Sequence, residues 1–177
     1  MKKPPGGRRH HEFPHSDIMC AFMTGPLHLR QVIPPLMART SEGKIIRAWD
    51  YKQKSPLAIL FIHADCPQCE NWLGHLTKRS VDLIDRDAVA LVIYSDLPPQ
   101  KGKGLGPPFV AATDISGHSQ IAFLGPDAFG SAGLGRVGAF VTDRYGDLFG
   151  QWTGRDADKL PPVEEILDLL DVIQRIC

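Results

Sequence analysis

The chain has 177 residues, 43% of them hydrophobic and 23% charged, the composition of one ordinary globular domain rather than a disordered chain. Twenty basic residues balance twenty acidic ones, so the basic excess of a dedicated nucleic-acid binder is missing. The apolar runs at 57–62 and 88–93 fall far short of the ~20 residues that span a bilayer. Four cysteines are too few for a disulfide scaffold.

In chain order, the first thirty residues carry Lys2, Lys3, Arg8, Arg9, Arg30 and four of the seven histidines. No apolar h-region follows the basic start, so an export signal is not expected and cytoplasmic residence is the default. Residues 1–31 are read as a disordered basic, His-rich tail, with Met19 and Met23 as alternative starts, and 32–177 as the domain. Residues 1–30 hold five basic and two acidic side chains, which leaves the remainder mildly acidic.

Residues 32–38 read as an edge strand or extended entry, since two prolines break them, and 45–49 as its hairpin partner across the turn at Ser41-Glu42-Gly43-Lys44. Residues 57–62 (LAILFI) are wholly apolar, as in a strand buried on both faces. A helix of ~15–20 residues is expected after Pro67, carrying Trp72, Leu73 and Leu76 inward, and a second buried strand at 88–94. Strand, helix and strand in that order imply a parallel pair. A Pro/Gly-rich loop at 97–108, a short strand at 109–112, a short helix at 116–123 and a hairpin 139–142/148–152 follow. Pro161 and Pro162 open a last helix, with Glu164 and Glu165 in its first turn and Val163, Ile166, Leu167, Leu170 and Ile173 on one face. The predicted whole is α/β, a central mixed sheet flanked by helices.

The chemistry gathers at Cys66-Pro67-Gln68-Cys69, between the buried strand and the helix. A thiol there lies beside unpaired backbone N–H groups and the positive end of the helix dipole, which favour thiolate. The second cysteine, one turn on, is within disulfide reach, and Pro67 stiffens the turn. Cys66 is therefore the expected nucleophile and Cys69 the resolving thiol. Asp65, directly before Cys66, opposes the helix effect by like-charge repulsion. Three other readings have less support. A zinc site from His63, Cys66, Cys69 and His75 lacks a second knuckle. Haem attachment fails because Glu70 follows Cys69. The GxGxxG at 133–138 leads into a strand, not a helix. Cys20 and Cys177 read as free thiols near the ends.

Over residues ~32–176 the sequence resembles the thioredoxin-like superfamily, and within it the redoxin branch with its peroxiredoxin-like members. Ile33–Tyr51 is similar to the redoxin opening hairpin, Leu57–Cys69 to the strand that delivers an active-site CxxC, and Val137–Trp152 (VGAFVTDRYGDLFGQW) to the late hairpin. The resemblance implies a thioredoxin-like fold and a thiol–disulfide oxidoreductase working through Cys66 and Cys69, without a bound cofactor or metal. It implies as partners a protein or small-molecule disulfide, or a hydroperoxide, and an external dithiol reductant, with no nucleic acid or membrane. Departures leave alternatives open. Leu60 stands where thioredoxins bury a carboxylate, and Val137 where a cis-proline faces the CxxC, with Arg136 before it as a group able to favour the thiolate. His63 and Ile59 replace the Thr and Pro of the peroxidatic motif; His63 reads either as a proton shuttle or as a polar strand end. A peroxiredoxin-like peroxidase with Cys66 as peroxidatic cysteine, and a non-catalytic binding or metal-binding module, are the alternatives.

Overall fold

The computed structural model describes residues 27–95, 105–129 and 135–176; Cys20, Cys177, most of the expected tail and much of the 97–108 loop lie outside them. Seven strands form one sheet in the order β2-β1-β5-β4-β3-β6-β7. β1 (Met37–Arg39) and β2 (Ile45–Arg47) make the opening hairpin, followed by a short 3-10 turn at Ala48–Tyr51. β3 (Leu57–Ile62), β4 (Val89–Tyr94) and β5 (Phe109–Thr113) run parallel, while β6 (Val137–Thr142) lies antiparallel beside β3 and β7 (Leu148–Gly154) antiparallel beside β6.

β3 is central because every one of its six side chains is buried, so it must be covered on both faces. Alternation sends Ala58, Leu60 and Ile62 into one core and Leu57, Ile59 and Phe61 into the other. The first core is roofed by α1 (Pro67–Thr77), α2 (Ser80–Ile84) and α4 (Val163–Ile176), whose Leu73, Leu76, Leu83, Ile166 and Leu170 enter it. The second lies under α3 (His118–Leu124) and holds three packed rings: Phe61 with Phe123 at 5.2 Å, Phe123 with Phe140 at 5.1 Å, and Phe61 with Phe140 at 5.9 Å, the last two edge-to-face.

Three details depart from the sequence reading. The helix expected in one piece after Pro67 is two, broken at Lys78 and Arg79. The hydroxyl of Thr77 donates to Gly74 O at 2.9 Å, competing with the backbone ladder just before the break. Ile45–Trp49, read as one strand, yields to the 3-10 turn after Arg47, whose N–H donates to the Asp50 carboxylate at 2.8 Å. Residues 27–31, read as the end of the tail, lie along β7. Leu27 is buried, Arg30 N–H donates to Leu148 O and Leu148 N–H to Gln31 O, and the Arg30 guanidinium sits 3.7 Å over the Phe149 ring. This segment covers part of an edge strand that would otherwise expose unpaired backbone groups.

The helical face is stapled by charge. Arg79 bonds to Asp82 and to Glu164 of α4 at 3.1 Å, and Arg86 bonds to Asp171 of α4 at 2.9 Å. Hydrogen bonding from Arg79 holds the Asp82 carboxyl below the usual carboxylate range, with the charges of Arg79 and Arg86 adding to it against partial burial. A depressed folded-state pKa contributes stability that is complete above the unfolded value of ~3.9 and lost as pH falls through the folded one. The denaturation midpoint of Asp82→Asn is therefore expected to lie below that of the parent at neutral pH and to converge on it as pH drops below about 4. Parallel urea titrations across that range check this.

Candidate redox site

The site sits where the C-terminal end of β3 meets the start of α1. Cys66 is the N-cap of α1, with extended backbone (φ −109°, ψ 99°), and Pro67 occupies the first helical position. The Cys69 N–H, one of the donors a helix start leaves without a backbone partner, donates to Cys66 Sγ at 3.1 Å. The sequence thus places a sulfur where a capping oxygen normally sits.

Cys66 and Cys69 are joined in a disulfide with their Cα atoms 5.2 Å apart. The two sulfurs are unequal. Cys69 is fully buried with Leu60, Ile62 and Leu73, whereas Cys66 is half-buried and flanked by exposed Asp65, Pro67 and Gln68. Only Cys66 can meet an incoming molecule without the helix moving. Leu60 is completely buried on the face that carries Cys69.

The residues expected around the pair divide into two groups. Val137 is buried in the same core cluster as Cys69, and the half-buried Cys66 packs against that cluster. The cis X-Pro bond found among the described residues is Pro107–Pro108, ahead of β5 and not of β6. Arg136 is directed elsewhere: its guanidinium bonds to the Asp127 carboxylate at 3.1 Å and to Thr153 Oγ1 at 3.5 Å. That bond holds the Asp127 carboxyl below its ordinary range.

The hydrogen bonds of His63 likewise go elsewhere than to the sulfurs. This residue continues the alternation of Leu57, Ile59 and Phe61, and its buried ring bonds Ser95 Oγ at Nδ1 (2.5 Å) and Gly135 O at Nε2 (2.8 Å). His75 is exposed on α1 and lines an open groove of about 530 Å³ with Gln68, Trp72 and Glu164. Among the described residues no group of three or more His, Cys, Asp or Glu side chains is arranged to hold a metal ion, so the zinc reading of His63, Cys66, Cys69 and His75 gains no support. Trp72, expected to face inward, is half-buried against the core that holds Cys69, and its indole N–H donates to Pro161 O at 2.7 Å, tying α1 to the start of α4.

No protein-family profile matches the sequence, and no curated protein sequence matches it. Solved structures do. The chain is similar to a peroxiredoxin-like protein from Aquifex aeolicus, with a TM-score of 0.69 at 14% identity over 84% of this chain and 89% of that one. It is similar to a Plasmodium vivax 2-Cys peroxiredoxin in its reduced form, with a TM-score of 0.66 at 17% identity over 85% of this chain and 83% of that one. A Neisseria meningitidis protein assigned as a thioredoxin aligns with a TM-score of 0.59 at 18% identity, over 81% of this chain and 90% of that one. At these identities the likeness is one of fold, and the fold is thioredoxin-like.

Proposed function

We infer that this chain is a thiol–disulfide oxidoreductase working through Cys66 and Cys69. The observation that carries this reading is the asymmetry of the pair. The sulfur of half-buried Cys66 caps α1 and receives the Cys69 N–H, and the sulfur of fully buried Cys69 is bonded to it. A helix start lowers a thiol's pKa, so reduced Cys66 is the thiolate of the two. The fold shared with proteins named thioredoxins and peroxiredoxins supports the same reading.

In the reductive direction Cys66 thiolate attacks one sulfur of a substrate disulfide. The substrate S–S bond breaks, its distal sulfur leaves as thiolate and takes a proton from solvent, and a Cys66–substrate mixed disulfide remains. Cys69, losing its proton, then attacks Cys66 Sγ, expels the second substrate thiolate and forms the Cys66–Cys69 bond seen here. Two electrons have passed to the substrate. An external dithiol returns the pair to the reduced state. No helix among the described residues is long and apolar enough to cross a membrane. Within this reading the chain works in the cytoplasm, where disulfides are mostly transient and catalytic.

The test is reduction of an insulin-type protein disulfide, with hydroperoxide consumption assayed in parallel, on the parent protein and Cys66→Ser. Disulfide reduction that falls to background in Cys66→Ser, a loss on the order of 10³-fold or more, is the expected result. Hydroperoxide consumption without disulfide reduction would reassign the chain as a peroxidase, with Cys66 passing through a sulfenic acid. Indistinguishable parent and Cys66→Ser in both assays would leave a non-catalytic module.

A further inference from the structure

His63 is buried, three residues before the nucleophile, and it contacts neither sulfur through the bonds its ring makes. A carbonyl oxygen only accepts, so the 2.8 Å bond to Gly135 O requires the proton on Nε2; in the neutral ring Nδ1 then accepts from the Ser95 hydroxyl. The ring therefore links three places in the chain: the end of β3, the residue after β4, and the backbone just ahead of β6.

Gly135 is held there with no room to spare. A Cβ on it would lie 2.8 Å from His63 Cε1 and 2.5 Å from Ala128 O, while the adjacent Arg136 N–H donates to Ala128 O at 2.7 Å. The backbone at 135 is thus pinned between the imidazole ring and the segment after α3. β6 pairs with β3 as far as Phe61–Gly138, and continuing that register sets 135–137 beside the loop that carries Cys66. Val137 packs in the cluster with Cys69. Residues 135–137 thus lie next to 62–64, the segment that leads into Cys66.

We propose that residues 135–137 form a rim that a substrate chain crosses to reach Cys66, and that His63 is a positioning residue that holds this rim through the Nε2–Gly135 carbonyl bond, not a proton carrier for the thiol. The proposal rests on the oxidoreductase reading above, and it predicts an effect mainly on substrate binding.

Two polar replacements separate the possibilities, neither of which titrates. The amide nitrogen of His63→Gln lies as far along the side chain as Nε2, so it can still donate to Gly135 O. The Asn of His63→Asn reaches Ser95 in place of Nδ1 but falls short of Gly135. The clamp predicts that His63→Gln keeps kcat/KM for protein-disulfide reduction within about threefold, whereas His63→Asn loses about tenfold, chiefly through KM. Amide hydrogen exchange at 136–138, which needs no activity, is expected to speed up at least tenfold in His63→Asn alone. Equal loss in both variants, with a displaced pH profile, would make His63 a proton carrier and overturn the proposal. Parent-like kinetics and exchange in His63→Asn would overturn it as well. If the parent reduces no disulfide, the functional reading fails by itself, and the exchange comparison still decides the clamp.

Discussion

Cys69→Ser is expected to stop turnover while leaving the first chemical step intact. Cys66 remains at the N-cap of α1, where the N–H of residue 69 still points at its sulfur, so it keeps the stabilisation of its thiolate. The substrate thiol added in the first attack then has no internal sulfur to displace it. Multiple-turnover reduction should fall on the order of 10³-fold, and one equivalent of substrate should accumulate as a mixed disulfide on Cys66. Mass spectrometry of the quenched mixture, before and after dithiothreitol, reads this directly. The burial of Cys69 sharpens the expectation, because a fully enclosed sulfur is shielded from external thiols and serves only its neighbour. Adduct formation at Cys69 in Cys66→Ser, with none at Cys66 in Cys69→Ser, would reverse the two roles.

The second large effect concerns stability. Phe140 is completely buried on β6 and meets the rings of Phe61 and Phe123 edge-to-face, joining two central strands to α3. Phe140→Ala removes that ring from a core with little room to collapse, at a cost of about 3–5 kcal/mol. For a domain of this size the melting temperature should drop by roughly 10 °C. Tyr145→Ala, on a side chain 47% exposed at the tip of the β6–β7 hairpin, should change stability by no more than about 0.5 kcal/mol. Calorimetry of the two variants beside the parent makes the comparison; equal melting points would contradict the three-ring core.

Much of this architecture is legible in the residues. β3 matches the run 57–62 to the residue because a strand buried on both faces has no reason to include a polar side chain. α4 follows the 3.6-residue spacing of Val163, Ile166, Leu167, Leu170 and Ile173, all of them buried. The cysteine pair is legible for a local reason too: strand end, N-cap and first-turn proline all fall within a few residues.

His63 and Arg136 show where local reading stops. A strand apolar at every position does not reveal which parity faces which helix layer, so nothing in 57–63 says that the His63 ring is taken up by Ser95 and Gly135. Its partners, Ser95 and Gly135, lie 32 and 72 residues along the chain. Arg136 likewise looks available to a thiolate in one dimension, yet its guanidinium is taken by Asp127. Proximity in sequence says which groups can meet, and packing says which do.

The cysteine pair at the start of α1 is written in local sequence, because a cysteine at a helix N-cap with a second cysteine one turn on depends only on short-range geometry and the local backbone field. The mixed α/β architecture is written there too, through apolar runs and periodicity. The unequal exposure of the two cysteines and the partners of His63 and Arg136 come from tertiary packing. Those properties depend on strand order, and strand order is set by the simultaneous burial of distant apolar faces.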